Sequence, residues 1–297
     1  MNSEVVNMSE NFQLRIESIY PTLSKGHKKI ADFIKSNYEK ASFMTAASLG
    51  KAVGVSESTV VRFASNIGFD GYPELQKYLQ EAVKSHLTSV QRMDVAASRY
   101  GSDDFIDRAF MTDIEMIKQT RDSISREAFL KSAEAINKAK KIYILGVRSS
   151  AALASFAAFY LRFLYENVVL IDTSASSELF EHLFRISSED VCIAISFPRY
   201  SNQTVRALSF AKSRGATIIS ITDGEMSPIA QYATHLLVTK SSMVSFVDSL
   251  VAPLSVINAL VAASAKEKQE DVYNDFKALE EIWDEYHVNR TGKEERK

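Results

Sequence analysis

Between residues 142 and 238 the chain alternates short, almost continuously apolar runs with segments that have helical periodicity. The apolar runs predict β-strands at 142–145, 168–171, 191–196, 217–222 and 235–238. Strands that are apolar on both faces and separated by helices are typical of a parallel sheet covered on both sides. The sequence therefore predicts a three-layer α/β domain, in which ligands bind beyond the carboxyl ends of the strands.

The loop at 146–150 follows the first predicted strand and has the sequence GVRSS. Backbone N–H groups and the hydroxyls of Ser149 and Ser150 can converge there at the N-terminus of the next helix, where an anion is stabilised. We interpret Gly146, Arg148, Ser149 and Ser150 as a candidate phosphate site. An ordinary turn with serine as the helix N-cap explains this loop alone equally well.

A second polar loop, SFPRYSNQT at 196–204, follows the third predicted strand. It offers the hydroxyls of Ser196, Ser201 and Thr204, the cation Arg199, and the start of another helix. Two hydroxyl-rich loops at helix N-termini, each with an arginine, indicate a phosphate site better than either loop alone. Helix caps beside surface arginines are the alternative.

The segment TAASLGKAVGVSESTVVRFASNIG, from Thr45 to Gly68, predicts two short helices joined by a tight turn. Gly50 allows the helices to cross closely, Gly54 ends the first helix, and Val60 faces inward from the second. Leu49, Ala52 and Val53 are expected to form the apolar stripe of the first helix. This spacing predicts a helix-turn-helix.

The outward face of the second helix carries short hydrogen-bonding side chains and one arginine, which suits the major groove of DNA. Thr45 and Ser56 lie at the two helix N-termini, where DNA phosphates can be held. A plain helical hairpin with a solvated polar face is the alternative. The candidate DNA-contacting residues are Thr45, Ser56, Ser58, Thr59, Arg62, Ser65 and Asn66.

Composition supports a globular chain of more than one domain, with 46% hydrophobic residues in 297. Residues 1–92 hold 11 Lys and Arg against 9 Asp and Glu, whereas 93–297 hold 24 against 28. Charges of +2 and −4 support nucleic-acid binding only weakly, so the motif must carry that argument. The lone Cys192 lies in an apolar run and is expected to be buried and inert. No cofactor and no metal site are predicted.

The N-terminal sequence lacks the pattern of a signal peptide, and a cytoplasmic protein is expected. The apolar segment 245–265 contains Asp248, Pro253 and Asn258, so we expect a buried or intersubunit helix, kinked at Pro253, and no membrane association. The expected domains are a DNA-binding domain at 1–86, a linker and connecting helix at 87–125, the α/β domain at 126–265, and a C-terminal helix and tail at 266–297.

The combination of VSESTVVRFASNIGFDGY, GVRSS and SFPRYSNQT resembles RpiR-type transcriptional regulators from about Leu14 to Ala263. These join a helix-turn-helix domain to a sugar isomerase (SIS) domain. The resemblance implies a phosphosugar effector that changes the operator affinity of a homodimer or homotetramer on double-stranded DNA. This sequence departs from the usual SIS loops, because Arg148 replaces a second glycine, Asn202 replaces another, and 197–200 are inserted.

The resemblance also leaves an enzymatic alternative, a phosphosugar isomerase that moves a proton with a carboxylate or histidine base. Glu178, Glu181 and His182 follow the second predicted strand, and His235 lies further along. Glu178 is equally suited to bind sugar hydroxyls, so it joins the candidate ligand residues. A sensing role is preferred because a DNA-reading module has no use in an isomerase. A third hypothesis, a pure oligomerisation module, does not explain the two hydroxyl-rich loops.

Overall fold

A computed structural model describes residues 15–84, 90, 92–93, 105–173, 175–242 and 247–286. The chain divides into two compact units. The first comprises Met1–Arg108 and Met243–Val247, and the second comprises Ala109–Ser242 and Asp248–Lys297.

The first unit is helical. After a helical turn at 15–19 and a 3-10 turn at Tyr20–Thr22, its helices are α1 (Lys25–Ser36), α2 (Tyr38–Ser42), α3 (Ala46–Val53), α4 (Glu57–Asn66) and α5 (Tyr72–Lys84). Ile30 and Ile34 on α1, Phe63 on α4 and Leu75 on α5 are fully buried in one shared core. The helix α1 ends at Ser36, and Tyr38 begins α2 after a break at Asn37.

The second unit contains most of α6 (Phe105–Ser123) and a parallel sheet with its covering helices. The elements that follow α6 are α7 (Arg126–Lys138), β1 (Ile142–Gly146), α8 (Ser150–Leu161), β2 (Val168–Ile171), α9 (Ser176–Leu183), β3 (Val191–Ile195), α10 (Asn202–Ser213), β4 (Thr217–Thr222), a 3-10 turn (Ala230–Tyr232), β5 (His235–Val238), α11 (Val251–Glu267) and α12 (Gln269–Glu285). All five predicted strands are present within one or two residues of their expected ends.

The strand order is β2-β1-β3-β4-β5, with every pair parallel. Ile142 lies beside Val191 and Gly146 beside Ile195, so β1 and β3 end at the same level. From β1 the chain first adds β2 on one side of β1, and then adds β3, β4 and β5 in succession on the other side. This order places the topological switch point, where such sheets bind ligands, between β1 and β3.

Alternate residues of the central strands enter two separate cores, as expected for a sheet covered on both faces. Ile142 and Ile144 pack in one core with α7, α8 and α11. Tyr143 and Leu145 pack in the other with α9 and α10. Cys192 is fully buried in this second core, and burial raises the pKa of its thiol to about 12, which removes its nucleophilicity at neutral pH.

The apolar segment 245–265 differs from expectation at its start. Residues 248–250 are not helical, and α11 begins at Val251. Pro253 therefore lies in the first turn, where its missing N–H disrupts no helical hydrogen bond. The predicted kink required a proline in the interior of the helix, and Pro253 is not there. Val256, Ile257 and Leu260 are buried within the second unit, so α11 is a core helix.

The C-terminal helix α12 keeps much of its apolar stripe at the surface. Phe276 is 37% exposed and Tyr286 70% exposed, while Leu279 and Trp283 are half-buried. Within the described residues, no helix combines the length and the apolarity needed to span a bilayer.

Candidate functional site

The turn between α3 and α4 has the geometry that its sequence predicts. Gly54 adopts φ 74°, a left-handed conformation that favours glycine, and ends α3. A Cβ on Gly50 would lie 2.8 Å from the carbonyl oxygen of Val55, so only glycine permits this close crossing. Val60 is buried as expected. Ala52 was expected in the inner stripe but is exposed, and buried Gly50 lies inside in its place.

The N-cap residues of both helices are engaged in local structure. Thr45 Oγ1 accepts a hydrogen bond from Ser48 N at 3.2 Å, and Ser56 Oγ accepts one from Thr59 N at 3.3 Å. Ser56 Oγ also lies 2.9 Å from Ser58 Oγ. These bonds satisfy N–H groups that would otherwise be unpaired at the helix starts.

The polar side chains of α4 lie in two groups, an exposed row and a flank next to α1. Ser58, Arg62 and Ser65 are exposed and lie four and three residues apart, so they share one face. The Arg62 Nε–H donates to the carbonyl oxygen of Ser58 at 3.2 Å. Half-buried Thr59 and exposed Asn66 belong to a neighbouring flank that contacts α1.

Sequence reasoning missed His27, which it treated as part of an unremarkable helix. The His27 ring lies edge-on to Phe63 with 5.7 Å between centroids, and its Nδ1 lies 3.3 Å from Asn66 Nδ2. Burial, followed by the charge of Arg62, lowers the pKa of His27 below its ordinary 6.5. The short motif KGHKK after the Ser24 cap was the available signal, because it places cations and a histidine in one helical turn.

In the second unit, the loops after β1 and β3 flank the switch point. Arg148 in the first loop has φ 58° and Arg199 in the second has φ 66°. They are the non-glycine residues with positive φ among those the structure describes. A left-handed backbone costs an ordinary L-residue about 1 kcal/mol, and such strain concentrates at functional sites.

Gly146 has a clear packing role at the end of β1. A Cβ there would lie 2.6 Å from the Ser150 carbonyl oxygen and 2.8 Å from Ala154 Cβ, so glycine allows α8 to start directly against the strand. Ser149 occupies the N-cap position of α8 but is exposed and makes no capping hydrogen bond. The alternative of serine as an ordinary N-cap therefore does not hold for Ser149. Ser150 is 3% exposed.

The loop after β3 is held by a hydrogen bond at its first residue, whereas the hydroxyls at its end make no hydrogen bond that caps α10. Ser196 is buried, and its carbonyl oxygen accepts the Thr222 hydroxyl at 2.7 Å. Ser201 is the N-cap of α10 but makes no capping hydrogen bond. Thr204, one turn into α10, is fully buried, and its Oγ1 has no hydrogen-bond partner among the described residues. A buried hydroxyl without a partner is rare and requires an explanation.

Two further contacts tie neighbouring loops to this one. The Tyr200 hydroxyl donates to Asp223 Oδ1 at 2.6 Å and joins the loops after β3 and β4. Gln203 Nε2 donates to Ser176 Oγ at 3.1 Å and joins the starts of α10 and α9. Exposed Glu178 accepts the Thr173 hydroxyl at 2.6 Å, so its carboxylate stabilises the loop after β2.

One candidate base of the isomerase hypothesis, His235, lies away from the switch point. His235 is the first residue of β5, at the amino end of the parallel sheet and about 10 Å along the strand from its carboxyl end. Glu181 and His182 are exposed on α9. Within the described residues, no three His, Cys, Asp or Glu side chains are grouped so that they could hold a metal ion.

Comparison with known proteins agrees with this architecture. Residues 10–86 match the model of the helix-turn-helix domain of the rpiR family, and residues 135–263 match the SIS domain. An uncharacterised HTH-type transcriptional regulator of Haemophilus influenzae is 28% identical over 275 residues, which cover 89% of this chain and 93% of that protein.

Two solved structures are similar to the chain. The sugar isomerase domain of the RpiR transcription factor from Sphaerobacter thermophilus is 30% identical, with a TM-score of 0.58, over 60% of this chain and 99% of that one. The Vibrio vulnificus NanR protein complexed with ManNAc-6P shares the fold at 21% identity and a TM-score of 0.58, over 93% of this chain and 99% of that one.

A helix-turn-helix domain followed by a SIS domain defines a class of transcriptional regulators built on a sugar isomerase fold. Within that class, the chain belongs to the RpiR family.

Proposed function

We propose that this protein is a cytoplasmic regulator that binds operator DNA through α3 and α4, and that a phosphorylated sugar bound in the second unit changes its operator affinity. The observation that carries the effector site is the pair of loops at the β1–β3 switch point. In these loops the N-cap residues Ser149 and Ser201 make no capping hydrogen bond, and Arg148 and Arg199 have a left-handed backbone conformation. The buried hydroxyl of Thr204 has no hydrogen-bond partner among the described residues.

A phosphate group fits these loops chemically. Its oxygens accept hydrogen bonds from Ser149, Ser201 and Thr204, and the N-terminus of α10 adds favourable backbone N–H groups. Arg148 and Arg199 supply positive charge. In this proposal Gly146, Ser150 and Ser196 shape the loops, and Glu178 lies within the set that contacts sugar hydroxyls. The NanR protein of the same fold, complexed with ManNAc-6P, supports the chemical class of the effector.

On DNA, the row Ser58, Arg62 and Ser65 faces the base edges, with Thr59 and Asn66 at its flank. The engaged caps Thr45 and Ser56 place the N-terminal N–H groups of α3 and α4 toward phosphates. The proposed regulator is a homo-oligomer, which two-fold operators require. The exposed apolar side chains of α12 support this, because a monomer rarely leaves such a stripe in water.

The test combines binding and response. Duplexes with a randomised core of about 20 base pairs are used to select an operator for the wild-type protein, and gel shifts at fixed salt then measure its affinity. Individual aldose and ketose phosphates are added to find one that changes this affinity. Ser149→Ala and Thr204→Ala should bind the operator normally but no longer respond. A normal response in both variants would exclude the switch-point loops as the effector site.

The reading helix is tested separately with Arg62→Ala, which should weaken operator binding by about 1–3 kcal/mol. Arg162→Ala is the matched control, because it also removes an exposed arginine but lies at the end of α8. For the isomerase alternative, the protein is incubated with aldose and ketose phosphates and followed by NMR. Turnover that disappears in Glu178→Gln would overturn the sensing role.

A further inference from the structure

The first turn of α1 covers one flank of the helix α4. A Cβ on Gly26 would lie 3.4 Å from Thr59 Cγ2 and 3.7 Å from Val55 Cγ1, so the backbone of α1 runs close to the start of α4. One residue later, His27 contacts Phe63 and Asn66. The α1 turn therefore touches α4 from its first turn to its last residue.

His27 itself is held on three sides. Its backbone N–H donates to Ser24 Oγ at 3.3 Å, which caps α1. Its ring packs edge-on against the buried ring of Phe63. Its Nδ1 faces the side-chain amide of Asn66 at 3.3 Å. Because the position of the His27 ring is set by these contacts, the ring can hold the side chain of Asn66 in one orientation.

The contact with Asn66 determines which way that amide points. The Asn66 Nδ2 atom faces His27 Nδ1, and in the neutral tautomer with its proton on Nε2 this nitrogen carries a lone pair that accepts from the amide. One N–H of Asn66 is used in this bond, and its Oδ1 and second N–H remain. That remaining pair is the set with which an asparagine amide binds the N6 and N7 edge of adenine in the major groove.

We propose that His27 is a positioning residue for DNA recognition: its hydrogen bond to Asn66 orients the amide that reads one base pair at the end of α4. This inference rests on the proposed function, since it requires that α4 reads DNA. His27 acts through Asn66, so its loss changes base preference at one position. A residue that contacted only phosphates would change affinity equally for all sequences.

The chain offers well-matched variants. His27→Leu keeps an apolar side chain against Phe63 but has no acceptor for Asn66. His27→Asn places its Oδ1 at the position of Nδ1 and restores the acceptor. Asn66→Ala removes the reading amide and shows which base pair it reads. Thermal unfolding of each variant confirms that the domain is folded, and an unfolded His27→Leu is replaced by His27→Met, which is also apolar and lacks the nitrogen acceptor.

The experiment selects binding sites from the randomised duplex library with wild-type protein and each variant in parallel. We expect Asn66→Ala and His27→Leu to lose about tenfold or more of the discrimination at the same base pair, and His27→Asn to recover most of it. A His27→Leu profile that keeps the wild-type preference at this base pair overturns the inference, whatever its absolute affinity. A wild-type protein that selects no sequence at all contradicts the proposed DNA-binding function itself, which separates the two failures.

Discussion

The helix-turn-helix and the switch-point loops both place hydroxyl residues at helix N-termini, but only the helix-turn-helix uses them as caps. Ser56 and Thr45 accept hydrogen bonds from the N–H groups of their own helices. Ser201 and Ser149 occupy the same position at α10 and α8 and accept none. Hydroxyl side chains at the same helix position therefore make capping hydrogen bonds in the helix-turn-helix and none in the switch-point loops.

This difference indicates what each region presents to a ligand. In the helix-turn-helix the caps hold the helix N-termini, and the proposed DNA recognition is assigned to the exposed row Ser58, Arg62 and Ser65. At the switch point the close packing at Gly146 sets α8 against β1, Ser149 and Ser201 make no capping hydrogen bond, and the Thr204 hydroxyl has no partner among the described residues. Four substitutions or conditions test this division, beginning with the packing at Gly146.

The largest expected effect is that of Gly146→Ala. The new methyl group would meet the Ser150 carbonyl oxygen at 2.6 Å and Ala154 Cβ at 2.8 Å, and relieving this overlap should lower the free energy of unfolding by about 3 kcal/mol. Urea unfolding followed by the fluorescence of the single tryptophan, Trp283, reports on the second unit. Gly224→Ala is the control, because no atom lies within 4 Å of its added Cβ. Equal stability of the two variants would refute the packing role.

The next effect separates used from unused caps. Ser56→Ala should lose about 1 kcal/mol of stability because an N–H at the start of α4 loses its acceptor. Ser201→Ala should lose less than about 0.5 kcal/mol, because no capping bond is removed. Chemical denaturation followed by circular dichroism measures both. If Ser201→Ala were the more destabilised, the contrast between the helix-turn-helix and the switch-point loops would not hold.

A smaller effect of opposite sign is expected for Thr204→Val. Valine has nearly the same shape and removes a buried hydroxyl that has no partner, so the ligand-free protein should gain up to about 1 kcal/mol. The same variant should lose the thermal shift that the effector gives the wild-type protein. Destabilisation by Thr204→Val without added ligand would mean that the hydroxyl is already satisfied.

The smallest effect is a dependence of stability on pH that both units share. Burial lowers the pKa of His27, and burial followed by the charge of Lys131 lowers that of His235. Each folded histidine binds a proton less readily than the unfolded chain, so this stability is present above about pH 6.5 and is lost as pH falls through the lowered pKa values. Thermal melts across this range should show a shallower loss in His27→Gln and in His235→Gln. Slopes identical to the wild type would show that neither group contributes.

Sequence patterns predicted the elements well where one period dominated. The strands were found because residues such as Ile142 to Leu145 are apolar on both faces, and the helix-turn-helix because Gly50, Gly54 and Val60 fix its spacing. The start of α11 was misplaced, since apolar residues before Val251 carry no signal that separates loop from helix.

The site was predictable only in part. The order of strands put the loops after β1 and β3 side by side, which alternation alone does not specify. Long-range contacts such as His27 with Asn66, 39 residues apart, leave no periodic trace in the sequence. Nor does the sequence tell that Ser56 caps its helix whereas Ser201 does not, because both are serines at the start of a predicted helix.

The left-handed backbone of Arg148 has an evolutionary consequence. Its φ of 58° is one that glycine adopts without strain, so the backbone of the loop follows a path that suits glycine although the residue carries a guanidinium group. Arginine and glycine codons can differ by a single base. A change between arginine and glycine at this position therefore needs one mutational step and no change in the backbone path of the loop.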